Sequence, residues 1–217
     1  MNLERNNWDV VVVGHWNRAI LTPSWIAKKL FQLPEGTGIE VAVPIDVFST
    51  PVVKWDGLSV MAEEHRLTIS SREPSYEQLA KAMKAATIAL EELPKTPLFA
   101  AGFNIRFKAS GVCEDLCDTI QCPADETLSD AGYEIVSKGL KRSIHATATA
   151  LSAGVINLSI TEDDDKLCAV DLNFHRDSKE KADLQEWLGV SPGSIESEVS
   201  AILAGIGVTP SKEEANV

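Results

Sequence analysis

The chain has no apolar run of about 18 residues, so no segment of it reads as a membrane-spanning helix. It also has no leader-like start: Glu4, Arg5, Asn6 and Asn7 precede only a brief valine run, with no small-residue cleavage site. A cytoplasmic location is expected. Cysteine is scarce, four in 217 residues, and in that compartment the thiols are expected to be reduced. No glycine-rich phosphate loop, nucleophile elbow, His-Glu-x-x-His or dinucleotide fingerprint occurs. These absences count against an enzyme, and no cofactor is expected. Positive charge is short as well: 20 Lys and Arg face 32 Asp and Glu, a net charge of −12. The deficit lies in residues 96–217, with 10 cations against 20 acids, whereas residues 1–95 carry 10 and 12. An acidic surface repels phosphate backbones, so neither nucleic acid nor a membrane is an expected partner.

What is present is alternation. From Leu98 to Lys108, Phe99, Ala101, Phe103, Ile105 and Phe107 alternate with Asn104, Arg106 and Lys108, which predicts a strand with one buried face. Residues 8–14 read as a buried, valine-rich strand. Thr22 and Pro23 open a helix through Trp25, Ile26, Leu30 and Phe31. Ile39, Val41, Val43 and Ile45 alternate through a strand that Pro44 marks as an edge. Asp56-Gly57 is a hairpin turn between residues 52–55 and 58–62. Residues 66–71 form a further strand. Ser75 and Gln78 make a capping-box pattern before a helix ending near Leu93.

The second half follows a similar plan. After strand 98–108 come a Cys-bearing acidic segment with a short helix at 113–121, then strands at 140–149, 154–161 and 167–175. The last two form a hairpin across Glu162 to Asp165, whose bunched acids lack the spacing and central glycine of a calcium loop. Helices follow from Ser178 and through Ile195 to Ile206, and residues 209–217 read as a frayed tail. The expected fold is α+β: two β-α-β(3-4)-α halves, residues 1–95 and 96–208, forming one antiparallel sheet with the helices packed on one face. This element order resembles the doubled plan of the TATA-binding-protein fold. That likeness implies one curved sheet with the long helices on its convex side; it carries over no base-reading residue. Arg66-Leu67-Thr68-Ile69 with the following helix, Gly102-Phe103-Asn104-Ile105-Arg106-Phe107 and Leu172-Asn173-Phe174-His175 also resemble a sporadically distributed bacterial family of uncharacterised proteins. That resemblance implies no site.

The candidate binding residues are Asn104 and Arg106, which face away from the Phe stripe, together with His145 and His175. His145 is expected on the polar face of a strand beside Thr147 and Thr149. His175 ends a strand, and Asp177 lies within reach of it. His15 is expected in a structural turn. Cys113, Cys117 and Cys122 are spaced x3 and x4 with no second knuckle, so no metal site is assigned to them; Cys113 and Cys117, one helical turn apart, remain an alternative redox pair. Two functions compete. The first is a binding or scaffold protein that offers a sheet face or edge to a protein partner or to itself. The second is a small-molecule enzyme with a cleft between the halves and a His as acid or base. A homodimer is expected, because strands 154–161 and 167–175 carry no proline to blunt an edge and Trp16 and Trp55, placed after strands, suit an interface.

Overall fold

In the computed structural model the described residues are 3–45, 50–111, 114–146, 149–162 and 167–208. They form ten strands and six α-helices. The first half contains β1 (Leu3–Arg5), β2 (Asp9–Gly14), α1 (Pro23–Trp25), which runs into a π-turn at Ile26–Leu30, then β3 (Glu40–Ala42), β4 (Val52–Trp55), β5 (Leu58–Ala62), β6 (Arg66–Ser71) and α2 (Tyr76–Glu92). The second contains β7 (Leu98–Ala109), α3 (Glu114–Ile120), α4 (Ala124–Asp130), β8 (Gly139–Ile144), β9 (Val155–Glu162), β10 (Cys168–Asp177), α5 (Lys181–Leu188) and α6 (Pro192–Gly205). All ten strands share one sheet, ordered β3-β4-β5-β6-β2-β7-β10-β9-β8, and every pairing is antiparallel. β1 pairs with β7 beyond the end of β2.

The sheet has an apolar and a polar side because the alternation of each strand is kept in register with its neighbours. One apolar row crosses nine strands: Val41, Val53, Val60, Ile69, Val10, Phe103, Phe174, Ile156 and Ile144. Its inner members, from Val60 to Ile156, are fully buried, and each such side chain contributes about 1.5–3 kcal/mol. Helices cover this side. Trp187 of α5 stacks on Phe103 at 5.9 Å, and Phe103 stacks on Phe174 at 4.7 Å. Tyr76 of α2 packs edge-on against Trp8 at 4.9 Å. Cys117 of α3 meets Cys168, which shares the side of Phe174, with sulfurs 3.8 Å apart. α6 packs on α2.

Local signals explain most of the elements. Thr22 accepts the Trp25 N–H at the start of α1, with Pro23 at its first position. Ser75 accepts the Gln78 N–H at the start of α2, but the reciprocal half of the capping box is not made. The Gln78 side chain lies against Gly57 instead. Asp56 and Gly57 adopt φ of 46° and 75°, the left-handed pair of a tight hairpin.

Several expectations are corrected. Phe99 does not join the buried stripe. The ladder between β2 and β7 slips between Val13 and Gly14, so that Leu98 turns inward and Phe99 is 40% exposed. A bulge of this kind re-aims one side chain. The expected strand at 39–45 shrinks to β3, leaving Val43 and Ile45 exposed. β9 and β10 are interior strands, and the edge on that side is β8. Trp16 is buried with its indole N–H donating to the Val12 carbonyl, and Trp55 is half-buried against Phe31; both serve the core. The short strand β1 and helix α4 were not expected. Cys113, the acidic tip at 163–166 and the tail from 209 lie outside the described residues.

Candidate functional site

On the polar side the register draws one row across the same nine strands: Glu40, Lys54, Ser59, Ser70, Asp9, Asn104, Asn173, Asn157 and Ser143. Side chains directly opposite in such a row lie about 4.5–5.5 Å apart, a distance that a primary amide spans well. The hydrogen bonds follow. Ser143 Oγ donates to Asn157 Oδ1 at 2.7 Å, Asn157 Nδ2 to Asn173 Oδ1 at 3.0 Å, Asn173 Nδ2 to Asn104 Oδ1 at 2.8 Å, and Asn104 Nδ2 to Asp9 Oδ1 at 2.5 Å. Every donor points the same way, toward the Asp9 carboxylate.

Arg106 secures that end. Its guanidinium reaches Asp9 Oδ2 at 2.6 Å and the Asn7 carbonyl, and it lies 3.8 Å from Asp171. Asn7 presents its carbonyl from a left-handed conformation, φ 48°, which asparagine tolerates. The backbone carbonyl of Arg106 accepts the Trp8 indole N–H at 2.9 Å and the Asn6 N–H at 2.8 Å. The kink between β1 and β2 is thus tied to β7 by both the side chain and the backbone of one residue. Partial burial pushes the Asp171 carboxyl above its ordinary pKa, against the pull of Arg106.

Charge on this side is balanced. By register, Lys54, Arg66, Arg106, Lys108 and Lys141 share it with Glu4, Asp9, Glu40, Asp171 and Asp177. Among the described strand residues, a chain of net charge −12 thus places as many cations as carboxylates on this side. Next to the polar row runs a less polar one: Ala42, Val52, Met61, Thr68, Val11, Gly102, His175 and Val155.

Of the four candidate residues, Asn104 and Arg106 stand together at the centre of this face. His175 is in the adjacent row, with Nε2 2.9 Å from Asp177 Oδ1. His145 is elsewhere. β8 ends at Ile144, and the His145 ring, through Nδ1, meets the Gly154 carbonyl at 3.1 Å. Thr147, expected beside it, lies outside the described residues. His15 pairs with His65 at another end of the sheet. A cleft of about 410 Å³ lined by Arg176, Asp183, Trp187, Ser191 and Ser194 contains no histidine. Among the described residues no group of three or more His, Cys, Asp or Glu side chains is placed to hold a metal ion. Sequence reasoning missed Asp9, Asn157, Asn173 and Ser143. The available signal was one Asn, Asp or Ser breaking into each apolar alternation.

The Asp9–Arg106 pair is mostly shielded, with side chains 14% and 31% exposed. Asp9→Ala is expected to lower stability by about 1–2 kcal/mol, since it removes the carboxylate that both Arg106 and the Asn104 amide donate to, while Arg106 keeps the Asn7 carbonyl. A double-mutant cycle with Arg106→Ala, read by urea denaturation, tests this. Additive losses would show that the pair is not coupled. No protein-family model matches this chain, and a search of curated proteins returns no match.

Proposed function

We propose that this protein is a binding or scaffold protein, and that its polar sheet face is the surface it offers to a protein partner or to a second copy of itself. One observation carries the reading. The helices that touch the sheet pack on its apolar side, while the opposite side bears a connected polar row with balanced charge. Each amide in that row spends one N–H and one oxygen lone pair on its neighbours and keeps one of each for a partner. A charge-balanced face inside an acidic chain suits a protein surface better than a phosphate backbone.

The strand order supports a finer reading. β2 and β7 stand side by side at the centre, each followed in sequence by a helical segment, an antiparallel meander and closing helices. On that order we propose the doubled plan of the TATA-binding-protein fold for this sheet. An acid–base enzyme built on His15, His145 or His175 finds less support, because those residues sit in separate places.

Ser70→Arg and Ser159→Arg place a bulky cation on the face on either side of β2 and β7, at positions without a structural ion pair. Light scattering of the wild type is expected to give about twice the 23.5 kDa chain mass, and both variants should shift toward one chain while keeping their circular dichroism. If the wild type is a single chain at every concentration, the partner is a different protein, captured from lysate by the wild type and lost by both variants. Unchanged association in both variants, or a shift of duplex DNA at moderate salt, would overturn the proposal.

A further inference from the structure

His15 and His65 come together where β2 ends and β6 begins. The bulge that expels Phe99 shapes this corner. The Phe99 ring stands edge-on to His15 with centroids 5.1 Å apart, and the two imidazole centroids are 5.2 Å apart. Backbone bonds fix both residues. The Gly14 N–H donates to the His65 carbonyl at 3.1 Å, the Trp16 N–H to the Glu64 carbonyl at 2.8 Å, and the His15 N–H to the Pro97 carbonyl at 2.9 Å. Gly14 is needed here, because a Cβ would lie 2.6 Å from the Pro97 carbonyl oxygen. On this clamped frame the two Nδ1 atoms face each other at 3.2 Å, and both side chains are solvent-exposed.

We propose that His15 and His65 form a two-imidazole site for a divalent first-row transition ion of the zinc, nickel and copper class. The geometry suits it. With metal–nitrogen bonds of about 2.0–2.1 Å, nitrogens at this separation subtend about 100° at a shared ion, close to the tetrahedral angle. Imidazole nitrogen is a preferred donor for these metals. Without metal the same contact is one N–H···N hydrogen bond near its upper length, so little is lost when an ion takes the place of the shared proton and that ring becomes the Nε2–H tautomer. Two protein ligands leave coordination positions open to water or to a donor from a bound partner. The site is independent of the polar face.

The test is calorimetric titration of the full chain with zinc and, separately, nickel. The expected result is one equivalent bound, with His15→Ala and His65→Ala each weakening affinity by roughly tenfold or more as chelation falls to a single ligand, and with His145→Ala unchanged. Both imidazoles are exposed, so neither substitution threatens folding. Cobalt(II) serves as a spectroscopic probe, since ligation by cysteine would give an intense thiolate charge-transfer band. Absence of binding, binding that survives His15→Ala, or a thiolate band that persists in both variants would overturn the proposal.

Discussion

Gly102→Val is expected to destabilise the protein by about 3 kcal/mol or more, although valine is a far better strand former than glycine. Intrinsic propensity alone would give a gain. The reason for a loss is close approach: a Cβ at Gly102 would lie 2.5 Å from the Phe174 carbonyl oxygen. That atom belongs to the backbone of β10, so no rotamer change relieves the contact, and β7 and β10 would have to separate. The damage would fall beside the Asn104–Asn173 bond, in the middle of the polar row. Urea denaturation of Gly102→Val should show the loss, and Gly102→Ala a smaller one. Gly205→Ala is the control, because nothing lies within 4 Å of its added Cβ and a helix gains from the exchange. A Gly102→Val protein as stable as the wild type would show that the two strands are not held at this distance.

Phe103→Ala should cost about 3–5 kcal/mol, the range for truncating a large aromatic in a closed core. Phe103 is fully buried and sits between Phe174 and Trp187 in a stacked column, with interplanar angles of 15° and 27°. It also faces Val10 on the neighbouring strand β2. Its removal therefore loosens β7 from β2, from β10 and from α5 together. The readout is the denaturation midpoint, with near-ultraviolet dichroism reporting the Trp187 environment. A loss below about 1 kcal/mol would mean that the column collapses around the gap or is not tightly packed.

Much of this architecture was written locally in the chain. Alternation located the long strands, Ser75 and Thr22 marked helix starts, Asp56-Gly57 marked a turn, and Pro44 marked an edge. These signals act over a few residues. What stayed hidden depends on pairing between distant segments. Nothing in Val155 to Glu162 announces that β8 will cover it, so the missing proline was misread as an open edge. Phe99 obeyed the alternation and was still expelled, because a bulge is set by the partner strand. The polar row was equally invisible. Asn104 and Arg106 could be placed on a polar face, but their partners Asp9 and Asn173 are distant in sequence, and only register brings them together. The His15–His65 contact is a meeting of the same kind.

The polar row also bears on the order of assembly. Its links span very different loops: 14 residues from Ser143 to Asn157, 16 from Asn157 to Asn173, 69 from Asn173 to Asn104, and 95 from Asn104 to Asp9. Closing a longer loop costs more entropy and delays contact. The row should therefore zip from its Ser143 end, hairpin by hairpin, and reach Asp9 last. A strand displaced by one residue would turn its Asn toward the helices and break the chain of amides, so the complete row forms only when all five strands are correctly aligned. Docking of the amino-terminal half then acts as a check on the carboxy-terminal one.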